Sequence, residues 1–312
     1  MKIVFMGTPE FAAASLEALV EAGHEVLLAV TQPDREKGRG KKVMFSPVKE
    51  CALKYNIPVF QPVRIKNEDA VAELKKYAAD IFVVAAFGQI LSSEILEMPE
   101  YGCINVHASL LPRYRGAAPI QWSIIDGMTE SGVTIMQMNE GLDTGDMISK
   151  AVVPILPDET GDSLHDKLMA AGARLLVETL ISIENKTAVR TPQNGELSCY
   201  ARMLTKEMGR LDFSKTAVEL DRLIRGLNSW PGTYTMYNGK TLKIWEADIE
   251  ESAEPGSETP GTISKVTKND FCVRVADGYL KIKSLQLEGK KRMSASDFMR
   301  GNQIAQGDMF LS

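Results

Sequence analysis

Histidine and cysteine are scarce in this chain of 312 residues, which has three of the first and four of the second. The cysteines lie far apart and form no Cys-x-x-Cys pair, so neither a disulfide framework nor a structural zinc site is indicated. No run approaches the roughly 18 apolar residues that a membrane span needs. The opening MKIVFMGT enters a strand at once and leaves no room for a targeting peptide. We therefore expect a cytoplasmic protein without a membrane partner or an obligate protein partner.

Two familiar signatures are also missing. The segment FMGTPEF has one glycine where the dinucleotide fingerprint Gly-x-Gly-x-x-Gly needs three, so we expect no NAD. Gly7 more simply permits a tight strand-to-helix turn. The nucleophile elbow Gly-x-Ser-x-Gly is absent from the sequence, so a covalent acyl-enzyme is not required.

Composition is that of an ordinary globular protein, with 44% hydrophobic and 25% charged residues and enough length for two domains. The net charge is −5, but it is unevenly spread. Residues 1–202 hold 20 basic against 26 acidic side chains, whereas residues 203–312 hold 16 against 15. A specific RNA ligand is therefore compatible with the sequence wherever basic residues cluster, because local charge sets the local field.

Apolar strands alternate with helical patterns in the first part of the chain. Strands are predicted near residues 2–6, 24–31, 80–87, 102–109 and 132–138, and helices near residues 11–21, 47–56, 67–78 and 163–185. Asn67 is an acceptable N-cap for the third of these helices. This alternation predicts right-handed βαβ units and a Rossmann-like, doubly wound, mostly parallel sheet.

The hydrophobic period changes to two beyond residue 228. Short strands such as TYTMYNG, TLKIWEAD and YLKIKSLQLEG are separated by turns, which predicts a small OB-like β-barrel of about five strands. We place the catalytic domain at residues 1–205, including a connecting linker at about 187–205, and the OB-like C-terminal domain at residues 206–312.

An asparagine and a histidine end one of the apolar strands. Asn105, His107 and Ser109 share a face if the strand persists, and Pro112 cannot continue it. Ligands of open α/β sheets bind beyond the carboxyl ends of the strands, so the amide and the imidazole are expected to point into a crevice. A metal site is not expected, because no further histidine lies nearby and Cys103 is interpreted as a small buried hydrophobic residue.

An acidic turn, EGLDTGDMI, follows the next strand. Gly141 and Gly145 permit sharp turns there and leave Asp143 or Asp146 free to reach the same crevice. Together these side chains suit transfer of an acyl group to an amine. An amide N–H stabilises the oxyanion, and an imidazole with a carboxylate moves the protons. A structural histidine at a strand end remains the alternative on the residues alone.

The segment NVHASLLPRYRGAAPIQW, followed by GLDTGDMI, resembles the signature of the folate-dependent formyltransferases. The segments MKIVFMGTPEFAAASLEAL, TQPDREKGRGKK, AAFGQILSSEIL, ARMLTKEMGRLDFS and LIRGLNSWPGTY extend the likeness over nearly the whole chain, toward the branch of the family that acts on methionyl-tRNA.

The resemblance implies transfer of a formyl group from 10-formyltetrahydrofolate to the α-amino group of methionine on initiator tRNA, for translation initiation. It implies that Asn105, His107 and Asp143 are catalytic. It further implies that an OB-like C-terminal domain helps to hold the tRNA. The segment matching the folate-binding SLLP motif consists of Ser109, Leu110, Leu111 and Pro112.

A basic loop, DREKGRGKK, covers residues 34–42 with five basic and two acidic side chains. By itself it fits either a solvated surface loop or a phosphate-binding finger. The resemblance favours contact with tRNA through Arg39 first, then Lys41 and Lys42, and through Lys206 in the segment LTKE. A second basic group is left open between a phosphate track and a solvated surface, namely Lys281, Lys283, Lys290, Lys291 and Arg292.

Two other functions stay open. The same catalytic half could act on a small amine, such as a sugar nucleotide or glycinamide ribonucleotide, although the basic loop and the C-terminal β domain have no use there. A non-catalytic RNA-binding relative is the second alternative, and the intact Asn105, His107 and Asp143 argue against it.

Overall fold

The computed structural model describes residues 1–37, 42–250 and 256–311. The described residues form two compact units. Unit 1 comprises Met1–Pro119, Glu130–Pro154 and His165–Ala201. Unit 2 comprises Ile120–Thr129, Ile155–Leu164 and the chain from Arg202 onward.

The strands in chain order are β1 Lys2–Gly7, β2 Glu25–Val30, β3 Arg35–Lys37, β4 Lys42–Met44, β5 Val59–Phe60, β6 Ile81–Ala85, β7 Cys103–His107, β8 Arg115–Gly116, β9 Glu130–Gln137, β10 Met147–Pro154, β11 Tyr200–Ala201, β12 Thr233–Tyr237, β13 Lys240–Glu250, β14 Ile263–Ser264, β15 Cys272–Arg274, β16 Tyr279–Leu287 and β17 Met293–Ser294. The helices are α1 Glu10–Glu21, α2 Pro47–Lys54, α3 Glu68–Leu74, α4 Ser93–Leu96, α5 Pro119–Ile125, α6 Gly161–Glu184, α7 Ala217–Gly226 and α8 Ala295–Gly301. None of the helices in the described ranges has both the length and the apolar character that crossing a bilayer requires.

The main sheet of unit 1 has the order β10-β9-β7-β6-β1-β2-β5. Strands β5, β2, β1, β6 and β7 pair in parallel. Every residue of β6 is buried, as expected for a central strand covered on both faces. The predicted doubly wound, mostly parallel sheet is therefore confirmed.

The remaining edge of this sheet differs from the expectation. Strand β9 runs antiparallel to β7, and β10, for which no strand was predicted, runs antiparallel to β9. In β10 only Val153 is buried, so the strand has a weak hydrophobic pattern. Because Gln137 lies opposite Ile104, the acidic turn leaves β9 beside the start of β7, and not beyond its carboxyl end as expected.

Local capping follows the sequence only in part. Ser46 accepts a hydrogen bond from the Lys49 N–H at 3.1 Å and caps α2, with Pro47 in the first turn. Asn67 occupies the N-cap position of α3 as expected, but its side chain makes no capping bond.

Unit 2 is built around an antiparallel sheet with the order β12-β13-β16-β15-β14, and β17 pairs with β16. The C-terminal residues connect its two edge strands. Leu311 exchanges backbone hydrogen bonds with Met236 of β12, and Phe310 donates to the Gly261 carbonyl near β14 at 2.8 Å. Phe310 also packs edge-on against Phe271, with ring centroids 6.0 Å apart. The curled sheet confirms the predicted OB-like β domain.

Candidate active site

Strand β7 lies inside the sheet between β6 and β9, and it presents Asn105 and His107 on one face by strand alternation. Asn105 lies opposite Val84 of β6 and Met136 of β9. Its side chain is half-buried, and it makes no hydrogen bond to any residue in the described part of the chain. Both amide N–H donors of Asn105 are thus available to a ligand.

His107 is nearly buried, with 6% of its surface exposed, and its ring is oriented by the backbone. Its Nε2 lies 2.9 Å from the carbonyl oxygen of Tyr114. Because a carbonyl oxygen only accepts, Nε2 carries the hydrogen and Nδ1 of the neutral ring has a free lone pair. Nδ1 faces Asp143, whose Oδ1 is 3.7 Å away.

Asp143 is held by its own backbone and by the loop opposite. It adopts φ +52°, a left-handed conformation that aspartate tolerates better than most residues. Its Oδ2 accepts a hydrogen bond from the Gly116 N–H at 2.8 Å. Of the two acidic candidates, Asp143 is the one that the described structure brings to His107.

The glycines of the acidic turn do not supply the backbone conformation that was expected of them. Neither Gly141 nor Gly145 has a positive φ, so Asp143 itself supplies the left-handed turn. Gly145 is required for a different reason, since a Cβ there would lie 1.8 Å from the carbonyl oxygen of Gln137. Close packing of two backbones, and not rotational freedom, explains this glycine.

The predicted folate segment follows directly after β7. The strand ends at His107, so the condition under which Ser109 would share the face of Asn105 is not met. Ser109 is fully buried and donates its hydroxyl to the Arg113 carbonyl at 2.7 Å. The Ser109 carbonyl in turn accepts from the Thr134 hydroxyl at 2.7 Å.

The end of this segment is fixed by its backbone. Leu111 is buried, and its N–H donates to the Thr134 oxygen at 3.1 Å. Lys150 of β10 donates to the Leu111 carbonyl at 2.5 Å, and burial lowers the pKa of this lysine. The side chains of Leu110 and Pro112 stay half-buried and are therefore the members of the segment best placed to contact a ligand.

Two residues near the site, Gln193 and Arg115, were not among the predicted site residues. Gln193 lies in the loop-rich linker, and its amide donates to the backbone carbonyls of Asp143 and Gly145. The Arg115 guanidinium donates twice to the Gln193 side-chain oxygen, at 3.0 and 2.8 Å. A single glutamine outside any periodic element cannot be recognised from one sequence. The only hint was the pair of arginines in PRYRG.

A cleft of about 650 Å³ opens at the carboxyl ends of β1, β2 and β6. This is the point where the strand order reverses, and it is the expected ligand position in a doubly wound sheet. Since β6 adjoins β7, the cleft lies one strand away from Asn105 and His107. Its lining includes Thr8, Gln32, Arg35, Phe45, Phe87 and His165.

Only some of the residues predicted to contact tRNA lie in the described part of the chain. Arg39 and Lys41 lie outside the described residues, and for Lys42 only the backbone, at the start of β4, is described. Arg35, within the basic loop of residues 34–42, and Phe45, which follows the loop, line the cleft. Lys206 is exposed in unit 2, at the N-terminus of the short 3-10 turn Glu207–Gly209.

The second basic group is partly compensated by acidic neighbours. Lys281 contacts Asp270 at 2.9 Å, and Lys283 contacts Asp248 at 3.2 Å. Arg292 lies 3.8 Å from Glu246. These pairs reduce the positive potential along β16 and favour the solvated-surface interpretation for most of the group. Within the described ranges, no cluster of three or more acidic, histidine or cysteine side chains is arranged to hold a metal ion.

Comparison with known proteins defines the class first. Residues 1–180 match the family model described as formyl transferase, and residues 203–303 match the one described as formyl transferase, C-terminal domain. The fold is shared with the N-formyltransferase from Helicobacter canadensis, solved in complex with folinic acid and dTDP-3-aminofucose. The two have a TM-score of 0.66 at 20% identity, covering 94% of this chain and 100% of that one.

Curated relatives narrow the class. The chain is 55% identical over 310 residues to the methionyl-tRNA formyltransferase of Agathobacter rectalis, covering 99% of each chain. It is 52% identical over 312 residues to that of Lachnospira eligens, again covering 99% of each. The chain belongs to the methionyl-tRNA formyltransferase family. The predicted resemblance is thereby confirmed.

Proposed function

We propose that this enzyme transfers the formyl group of 10-formyltetrahydrofolate to the α-amino group of methionine on initiator methionyl-tRNA, at a site formed by Asn105, His107 and Asp143. The observation that carries the proposal is full-length identity of 55% to a methionyl-tRNA formyltransferase. Asn105 and His107 share a face of β7, and the Asp143 carboxylate lies 3.7 Å from His107 Nδ1, which supplies chemistry that fits this reaction. The proposed location is the cytoplasm, because aminoacylated tRNA is used there in translation.

The proposed reaction needs no covalent enzyme intermediate. The methionine nitrogen attacks the formyl carbon, and a C–N bond forms as the carbonyl oxygen becomes negative. The bond from that carbon to N10 of the folate then breaks. The attacking nitrogen loses one proton and N10 gains one, so the step is balanced without any oxidant or metal.

Asn105 is the proposed oxyanion donor. Its amide has no partner among the described residues, and it is fixed on an internal strand whose backbone is bonded on both sides. A donor placed before the reaction stabilises developing charge without reorganising, and one such donor is worth about 3–4 kcal/mol in comparable sites.

His107 and Asp143 are the proposed proton-transfer pair. Since Nε2 is bound to the Tyr114 carbonyl, Nδ1 is the atom available to take the amine proton and to return one to the leaving nitrogen. Once protonated, the ring would gain a charge-assisted contact with Asp143, 3.7 Å from Nδ1. Asp143 thus acts through His107 in this scheme, and need not itself be the base.

The donor is proposed to lie along Ser109, Leu110, Leu111 and Pro112, where Lys150 and Thr134 hold the backbone. The acceptor end of the tRNA is proposed to enter the cleft at β1, β2 and β6. Considered separately, Arg39, Lys41, Lys42 and Lys206 are the proposed phosphate contacts of the tRNA. The proposed domains are residues 1–205 for catalysis and residues 206–312 for the OB-like part.

Competition between acceptors tests the proposal. Purified enzyme is supplied with labelled 10-formyltetrahydrofolate and either initiator methionyl-tRNA, elongator methionyl-tRNA, glycinamide ribonucleotide or an amino-sugar nucleotide. We expect formyl transfer to initiator methionyl-tRNA at a far higher kcat/KM than to any other acceptor. Formyl transfer only to small amines would show that the acceptor is a small amine and not tRNA. Absence of transfer to every acceptor would favour the non-catalytic RNA-binding alternative.

A further inference from the structure

Three consecutive residues connect the two members of the proposed proton-transfer pair. The Tyr114 carbonyl accepts from His107 Nε2, and the Gly116 N–H donates to Asp143 Oδ2. Between them, Arg115 directs its guanidinium away from both groups and toward Gln193. The backbone of this segment is itself paired with β11, where Arg115 lies opposite Tyr200.

Gln193 completes a closed chain of hydrogen bonds around Asp143. Its Nε2 donates to the Asp143 carbonyl at 2.9 Å and to the Gly145 carbonyl at 2.7 Å. Its Oε1 accepts both bonds from Arg115. The turn that carries Asp143 is therefore held at its backbone by Gln193 and at its carboxylate by Gly116.

The chemistry of these partners admits few alternatives to glutamine. Backbone carbonyls only accept, and a guanidinium only donates, so the residue between them must present two donors and one acceptor. A glutamate would keep the acceptor for Arg115 but would set a negative oxygen against two carbonyl oxygens. A methionine of similar length would supply neither.

We infer that Gln193, fixed by Arg115, is a positioning residue that sets where Asp143 lies relative to His107. This inference rests on the proposed function of that pair. The backbone at Asp143 is left-handed, and its carboxylate has one described N–H partner, so loss of the Gln193 bonds removes the side-chain donor from the Asp143 and Gly145 carbonyls and lets Asp143 shift relative to Nδ1. Misplacement of a catalytic group by about 1 Å can cost about a hundredfold in rate.

Gln193→Glu and Gln193→Met test the inference, with Gln306→Glu on an exposed surface as the matched control for added charge. We expect both Gln193 variants to lower kcat by roughly tenfold to a hundredfold, with KM for both substrates changed less than about threefold. The control should match the parent enzyme. Unchanged kcat in both Gln193 variants, or a change in KM alone, would overturn the inference.

A double-mutant cycle separates positioning from general structural damage. If Gln193 acts through Asp143, then Gln193→Glu should lower kcat by less than about twofold in an Asp143→Asn background. If the two substitutions instead lower kcat independently, so that their fold-losses multiply in the double variant, Gln193 does not act through Asp143. If Asp143→Asn alone keeps normal turnover, the proposed function of the pair fails, whereas an inactive Asp143→Asn beside a fully active Gln193→Glu refutes only the positioning role.

Discussion

His107 and Asp143 are each oriented by one main-chain group, which makes the candidate site depend on backbone placement more than on packing. The Tyr114 carbonyl selects the tautomer of His107, and the Gly116 N–H selects the oxygen of Asp143 that remains toward the ring. A hydrogen bond to a peptide group cannot be removed by side-chain substitution at that position. Mutations at residues 114 and 116 would therefore act through conformation.

Removing the proposed oxyanion donor or the proton-transfer group should affect the chemical step. We expect Asn105→Ala and His107→Ala each to lower kcat by about a hundredfold or more, because a lone oxyanion donor or acid–base group commonly contributes that much. Steady-state kinetics with initiator methionyl-tRNA provides the measurement.

Folate affinity is the control for those two variants. Fluorescence titration with a folate analogue should give a Kd close to that of the parent enzyme, since neither side chain belongs to the segment proposed to bind folate. Turnover within about threefold of the parent in both variants would rule out the assigned roles.

The buried thiol of Cys103 should make the folded protein less stable at alkaline pH. Burial raises the pKa of its thiol from 9.0 to about 12. Between those values the unfolded chain has released a proton that the folded chain retains, so stability falls as pH rises. From pH 8 to pH 10 this one thiol should lower the free energy of unfolding by about 1.4 kcal/mol.

Urea unfolding at pH 8 and pH 10, in a reducing buffer, checks this behaviour. The Cys103→Ala variant should lose about 1.4 kcal/mol less stability over that interval than the parent. Cys272, whose pKa is raised by burial to about 11, should account for a further loss in both proteins. Cys199→Ala, at an exposed position, is the control. An identical loss in parent and Cys103→Ala would show that Cys103 does not contribute.

The proposed catalytic side chains could be predicted from residue types in the sequence, but the residues that hold them in place could not. Asn105 and His107 were recognisable because polar side chains interrupt an apolar strand. The glycine-flanked turn left Asp143 and Asp146 as alternatives, and the family resemblance selected Asp143. Gln193 lies 50 residues beyond Asp143, in a segment without periodicity. Such a long-range contact depends on how the linker returns to the site, which one sequence does not reveal.

At the scale of elements, the β9–β10 hairpin is the part of the fold that decides where Asp143 lies. The turn begins beside Ile104 and must fold back over the sheet to reach His107. Its final residues run against β9, with the Gln137 N–H donating to the Asp146 carbonyl at 2.8 Å. Gly145 lies directly at this contact, so the turn has no room for a side chain there.

Gly145→Ala should therefore displace the turn and lower kcat by at least roughly tenfold, because the new Cβ would overlap a backbone oxygen that cannot rotate away. Gly195→Ala is the matched control, since nothing lies within 4 Å of the Cβ it would add. Steady-state assays and thermal unfolding of both variants give the measurement. Equal activity in the two variants would show that the turn tolerates the displacement.

The existence of the central strands was more predictable than that of the edge strand β10. The apolar runs of β1, β6 and β7 are buried on both faces, and that pattern appears directly in the sequence. Strand β10 has mostly partly exposed residues, and Lys150 within it reaches the Leu111 carbonyl. Its identity depends on pairing with β9, which is a tertiary property and leaves no local hydrophobic period.

At the scale of the whole molecule, net negative charge has to be reconciled with an anionic acceptor. The excess of acidic residues is confined to residues 1–202, and several lysines and arginines of β16 and its neighbours are already paired with carboxylates. The proposed phosphate contacts are thus few and local. The proposed phosphate contacts lie in the basic loop of residues 34–42 and at Lys206.

The salt dependence of catalysis should report those contacts. With Arg39, Lys41, Lys42 and Lys206 each neutralising one phosphate, log KM for methionyl-tRNA should rise with log salt at a slope of about 3. KM for the formyl donor should change little. Arg39→Ala should reduce the slope by about 1, whereas the exposed Lys268→Ala should leave it unchanged. A flat salt profile for the tRNA would argue against phosphate binding.

The pairing of β8 with β11 has a practical meaning for truncated forms of the enzyme. A fragment ending at residue 180, where the first family match ends, would retain Asn105, His107 and Asp143. It would lose Gln193 and the strand that lies against Arg115 and Gly116. During synthesis on the ribosome, the proposed proton-transfer pair is thus made well before the segment that holds it, and we expect full formyl transfer only from chains in which Tyr200–Ala201 has paired with Arg115–Gly116.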